Sequence, residues 1–160
     1  MMQKDKNKIL QIKGLKTYFF TENGVVKAVD GVDFEVYQGE TLGIVGESGC
    51  GKSITAFSIM RLLDYPGKIV EGQIIFKEEN LLQKSEKQMR QIRGKDISMI
   101  FQEPMTSLNP VLTIGFQISE SLEVHFRMDK AKARKRALEL LEKVGIPIPE
   151  QRVDEYPHQL

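Results

Sequence analysis

Residues Gly46 to Ser53 read GESGCGKS, a G-x-x-x-x-G-K-[ST] pattern. Gly46, Gly49 and Gly51 permit backbone conformations that a side chain would block. Successive N–H groups of such a loop face one concavity, and a following helix adds its positive end. That chemistry is phosphate binding. Lys52 places a point charge on β- and γ-phosphates, and the Ser53 hydroxyl ligates Mg²⁺. Glu47, Ser48 and Cys50 occupy the free positions and, with Gly49, lend backbone N–H groups to the cradle. Cys50 reads first as a spacer. The sharper reading is a thiol activated by the helix end, which bound nucleotide would shield.

A strand before such a loop and a helix after it are the context that confirms it. Upstream, ETLGIVG is a short apolar run ended by glycine, which predicts a buried strand. Downstream the period changes. Ile54, Phe57 and Arg61, with Ile59, Leu62 and Leu63, predict a helix with a broad apolar face, stopped by DYPG. Further back, ILQIKGLKTYFF and VVKAVDGVDFEV flank ENGV, and Asn23-Gly24 predicts a hairpin turn. Val32, Phe34 and Val36 alternate with Asp33 and Glu35, so one face of that strand is buried.

GQIIF and DISMIFQ predict two more strands, the second ending at Gln102. Between them Ser85 and Gln88 have capping-box spacing, with Gly94 as the stop. Thr113 is expected to cap a helix carrying Ile114, Ile118 and Leu122. Asp129 is expected to cap KAKARKRALELLEKVG, with Ala137, Leu140, Leu141 and Val144 inward and Gly145 at its end. The tail IPIPEQRVDEYPHQL holds three prolines and predicts irregular chain.

Composition narrows the function classes. The chain has 160 residues, 41% hydrophobic and 28% charged, with net charge +1. No global field therefore draws in nucleic acid or acidic lipid. The basic run KAKARKR lacks interleaved aromatics and reads as a solvated helix face. One cysteine forms no internal disulfide, which fits a reducing compartment. MMQKDKNKILQ has lysines but no apolar core of a secretory signal. No run reaches the ~18 apolar residues of a membrane span, so any membrane role is expected to come through a partner.

GVVKAVDGVDFEVYQGETLGIVGESGCGKS, IRGKDISMIFQEPMTSLNP and the terminal YPHQL carry a resemblance. The chain resembles the ATP-binding subunits of ABC transporters, of the oligopeptide/dipeptide importer type. The likeness runs from about Ile9 to Leu160. It implies an α/β fold: a P-loop NTPase-type core, an N-terminal antiparallel β subdomain, and the start of a helical subdomain. The corresponding divisions are about 8–102 and about 103–160. ATP and Mg²⁺ are the implied cofactors. An aromatic of the N-terminal sheet stacks on adenine; LKTYF points to Phe19, with Tyr18 second. Gln102 matches the Q-loop glutamine, whose amide ligates Mg²⁺, orients water and senses the membrane partner. Residues 103–126 match the start of the subdomain where permease subunits dock. Many relatives read G-K-S-T, whereas Ile54 follows Ser53 here. The Ile54 N–H remains, so affinity is tuned rather than lost.

In the resembling family, YPHQL leads into the signature loop at Leu160. The Walker B aspartate, catalytic glutamate, D-loop and switch histidine follow it. His125 and His158 match no switch position, and Glu103 belongs to the Q-loop. The expectation is an N-terminal half that holds Mg-ATP and by itself does not hydrolyse it. LGIV and SMIF would then expose unpaired edges and favour aggregation. The implied partners are permease subunits, a second ATP-binding subunit and, indirectly, an extracytoplasmic peptide-binding protein, with no nucleic acid. The implied location is the cytoplasmic face of the cell membrane. Nickel and glutathione importers have similar subunits, and a nucleotide-binding module without turnover is the reading of a different class.

Overall fold

A computed structural model describes residues 7–102 and 107–160. It divides into two compact units, one ending at Met89 and one beginning at Arg90. Glu103 lies outside the described residues, as does the beginning of the expected docking segment.

The first unit is built on a four-stranded antiparallel sheet in the order β2-β1-β3-β4. Strand β1 is Lys8–Thr21, β2 is Gly24–Tyr37, β3 is Gly67–Phe76 and β4 is Glu79–Asn80. The predicted hairpin joins β1 to β2, but its two loop residues are Glu22-Asn23, one place before the expected Asn23-Gly24, and Gly24 already pairs with Thr21. Ile12, Leu15, Val29, Ile74 and Phe76 form the buried apolar part of the sheet. Val32, Phe34 and Val36 are half-buried.

Helix α1, Lys52–Met60, follows the glycine-rich loop. It is shorter than the apolar pattern predicts. Arg61 turns left-handed at φ 52 and ends it, leaving Leu62 and Leu63 outside. The Arg61 guanidinium donates to the carbonyls of Leu81 and Lys84, at 3.1 and 2.5 Å. These bonds give the chain a reason to leave the helix there. The buried side of α1 also differs from the expected one. It is Thr55, Ser58 and Met60, whereas Ile54 and Phe57 are only half-buried.

Two expected strands do not form. Residues 40–46, ETLGIVG, have no ladder partner among the described residues, and Leu42, Ile44 and Val45 are exposed. DISMIFQ retains a single parallel bridge, Ile97 to Arg93, and Ile100 is exposed. A strand exists by its neighbours. The four strands that pair here satisfy one another without using either segment.

Helix α2, Glu86–Ile92, has the predicted capping box. The Gln88 N–H donates to Ser85 Oγ at 3.3 Å and the Ser85 N–H to Gln88 Oε1 at 2.8 Å. In the second unit, α3 is Ile114–Phe126 and α4 is Lys130–Lys143. Their caps are the predicted ones: Phe116 N–H to Thr113 Oγ1 at 3.3 Å and Lys132 N–H to Asp129 Oδ1 at 3.0 Å. Ala137 and Leu141 face inward as expected, but Val144 is exposed, because α4 stops at Lys143.

The tail is not irregular. Pro149–Arg152 forms a helical turn, α5, and Pro157–Gln159 a 3-10 turn. Val153 is fully buried with Ile114, Ala137 and Leu141. Its carbonyl accepts from the Gly115 N–H at 2.8 Å, and that of Glu155 from the Ile114 N–H at 2.9 Å. The tail therefore supplies acceptors that the first turn of α3 cannot find in its own helix. A bidentate ion pair, Arg134 to Asp154 at 2.7 Å, ties α4 to the same segment.

Candidate phosphate-binding site

Residues Gly46 to Gly51 form a turned loop that runs directly into α1. Gly51 is its pivot. It is buried, has φ 91 and is the N-cap residue of the helix. A Cβ built on it would lie 2.2 Å from the Ala28 carbonyl oxygen. Ala28 is an extra residue in β2: Thr17 pairs with Val29 and Tyr18 with Lys27, so nothing on β1 faces it. This bulge brings a strand carbonyl up to the loop. At the other end of the loop, a Cβ on Gly46 would meet Cys50 Sγ at 2.6 Å. At Gly51 the neighbour is fixed backbone and only glycine fits, whereas at Gly46 it is a thiol that can turn aside.

Gly49 needs to be glycine for a different reason. Its φ of 81 is left-handed, yet a Cβ there would meet nothing within 4 Å. Backbone conformation selects glycine at this position, and crowding does not. Gly49 and Ser48 sit in a turn closed by the Cys50 N–H, which donates to the Glu47 carbonyl at 3.3 Å. Two details depart from the sequence reading. The Cys50 N–H is engaged within the loop rather than free. Glu47, Ser48 and Gly49 are exposed at the tip and do not line the adjoining cleft, because the turn carries them away from it.

Gly51 has no side chain to cap the helix, so no side-chain bond covers the first turn of α1. Its leading N–H groups are therefore available to an acceptor from outside, and the helix end favours an anion. The Lys52 ammonium curls over the loop. It donates to the carbonyls of Gly46 and Glu47 at 2.7 and 2.6 Å and lies 3.5 Å from Cys50 Sγ. A cation held over the loop backbone in this way suits a polyphosphate. Ser53 is exposed on the first turn and Ile54 half-buried beside it. The cleft beside the loop measures about 410 Å³ and is lined by Asp33, Leu42, Val45, Cys50, Gly51 and Lys52 among others.

Phe19 and Tyr18 have different surroundings. The Phe19 ring covers Gly67 across the β1–β3 pair, where a Cβ would meet Phe19 Cε1 at 2.8 Å. The Tyr18 hydroxyl donates to Asp30 Oδ1 at 2.5 Å, and Lys27 Nζ sits 5.4 Å from its ring centroid. That bond raises the Tyr18 pKa and lowers that of Asp30. Tyr18 is thereby committed to the sheet surface, while the hydroxyl-free Phe19 has no polar partner to satisfy.

Gln102 is exposed and belongs to the second unit. His125 is half-buried on α3, with Nε2 against Gly94. His158 is exposed and stacks on Tyr156 at 5.8 Å. Among the described residues no cluster of His, Cys, Asp and Glu could hold a metal ion by itself. No described helix is long and apolar enough to cross a membrane. The sequence reading missed Ala28 and the buried hydroxyls of Thr17, Thr55 and Ser58. A bulge leaves no compositional mark, and buried hydroxyls look like surface residues in an apolar count.

A family model described as ABC transporter matches residues 29–160. A probable peptide ABC transporter ATP-binding protein of Sinorhizobium fredii is 53% identical over 153 residues, 95% of this chain and 46% of its own length. The dipeptide transport ATP-binding protein DppD of Bacillus subtilis is 54% identical over the same shares. The oligopeptide transport ATP-binding protein OppD of that organism is 51% identical, with 43% of its length covered. The chain thus spans about half the length of the curated relatives it matches. A solved dimeric ATP-binding cassette in a post-hydrolysis state, bound to ADP and Pi, superposes with a TM-score of 0.81 at 26% identity. The superposition covers 95% of this chain and 63% of that one.

Proposed function

Because this chain belongs to the ABC transporter family, we propose that it is the nucleotide-gripping part of an ATP-binding subunit that powers peptide import. The observation that carries the proposal is the loop Gly46–Gly51, closed by glycines and opening onto an uncapped helix end with Lys52 folded over it. The N–H groups of residues 46–54 and the Lys52 ammonium would hold the phosphates. Gly49 would supply the left-handed turn, and Cys50 would exchange its long bond to Glu47 for a phosphate oxygen. The Ser53 hydroxyl and the Gln102 amide would hold Mg²⁺. When bound, Mg²⁺ neutralises charge across the phosphates. Phe19 would stack on adenine. We assign about 8–102 to the β subdomain and phosphate-loop core, and about 103–160 to a portion of a helical subdomain.

Peptide as cargo rests on the names of the relatives, which are peptide, dipeptide and oligopeptide transport proteins. Permease subunits would dock on residues 103–126, where Val111, Phe116, Val124 and Phe126 are exposed. A second ATP-binding subunit would complete the nucleotide site, and a peptide-binding protein would deliver cargo from outside. The subunit would then sit on the cytoplasmic face of the membrane. Residues 1–160 alone are expected to bind Mg-ATP without turning it over. Phosphate release separates the readings. The peptide-importing subunit that carries this chain should release phosphate from Mg-ATP, and Lys52→Ala should abolish that release. Release that survives Lys52→Ala would refute the assignment of Lys52 and its loop.

A further inference from the structure

Thr17 and Ser58 are fully buried, in an interface where apolar residues would be the default. Their hydroxyl oxygens are 2.8 Å apart, joining β1 to α1. The Ser58 hydroxyl donates to the carbonyl of Ile54 at 2.7 Å. Its single proton is thus committed, so Thr17 is the donor to Ser58. Two bonds in series run from β1 to the first turn of α1, each polarising the next in a dry environment. They end on Ile54, a residue of the proposed phosphate cradle.

The other end of the relay is equally well placed. Thr17, Tyr18 and Phe19 pair in unbroken register with Ile69, Lys68 and Gly67. Alternation along a regular strand therefore puts Phe19 on the same face as Thr17, the face that α1 covers. Apolar contacts alone would let a helix slide on a sheet. A directional hydroxyl pair fixes one register. Next to it, the Ala28 bulge presses its carbonyl on Gly51, so the same strand pair contacts the loop–helix junction at a second point.

We infer that Thr17 and Ser58 are positioning residues that set the distance between the base-contacting end of β1 and the phosphate loop, so that base and triphosphate are bound as one ligand. The inference rests on the proposed nucleotide reading, with Phe19 as the base contact.

Calorimetry on the chain with two probes, Mg-ATP and Mg-tripolyphosphate, tests it. Thr17→Val keeps the side-chain shape and leaves Ser58 its own bond to Ile54; Ser58→Ala removes both bonds and supplies the same readout should the first variant fold poorly. In either variant the Kd for Mg-ATP should rise about tenfold, the size of one lost base-stacking contact, while that for Mg-tripolyphosphate stays within about twofold. Thr17→Ser, which keeps the hydroxyl, should restore tight Mg-ATP binding. Equal weakening of both probes, or no change in either, would overturn the inference. A wild-type chain that binds neither probe would instead bring down the nucleotide reading on which it stands.

Discussion

Gly51 shows why the phosphate loop is legible from sequence and why its surroundings are not. The spacing G-x-x-x-x-G-K-S announces a backbone that needs glycine, and φ 91 at Gly51 agrees. Nothing in the spacing announces the Ala28 carbonyl 2.2 Å from the missing Cβ, because that neighbour comes from a strand more than twenty residues away. Gly51→Ala should therefore do more than alter the loop. Left-handed backbone costs an alanine about 1–2 kcal/mol, and forcing carbon into a packed space adds about 1–3 kcal/mol. Denaturant unfolding should show a loss of at least about 2 kcal/mol. A variant as stable as the wild type would mean that the loop and β2 are not pressed together as described.

At the scale of elements, local signals were readable and long-range ones were not. The caps at Ser85, Thr113 and Asp129 join residues three apart, and all three form as the sequence predicts. ETLGIVG and DISMIFQ have the composition of strands, but composition cannot name a partner, and no ladder forms on 40–46. The tail misled for a related reason. Its prolines suggested irregular chain, yet Val153 completes the core beneath α3 and α4. Val153→Ala should cost about 2 kcal/mol in thermal or denaturant unfolding; a cost near zero would show that the tail does not contribute to that core.

The β1–β2 pair carries its own signature. Glu35 accepts from Lys8 at 2.6 Å, and from the Tyr37 hydroxyl and the Gln11 amide at 2.5 Å each. These donors, Lys8 foremost, hold its pKa down to about 2 from an ordinary 4.5. A carboxylate lowered on folding stabilises above its unfolded pKa and loses that contribution as pH falls through the folded value. The stability gap between wild type and Glu35→Gln should be full above about pH 4.5 and vanish near pH 2. A gap that does not change with pH would contradict the network.

At the scale of the whole molecule, the first unit contains the loop, α1, β1 and β2, which together would make the proposed phosphate cradle and base contact. The second unit contains Gln102 and the exposed apolar residues of α3. On the proposed reading the first unit would grip the phosphates and the base, and the second would add Gln102 at Mg²⁺ and the docking surface. The most direct test is calorimetric titration of the folded chain with Mg-ATP. One-site binding that Lys52→Ala removes, with the fold intact by circular dichroism, is the predicted result. No heat of binding from folded wild-type chain, or binding indifferent to Lys52→Ala, would contradict the account at its base.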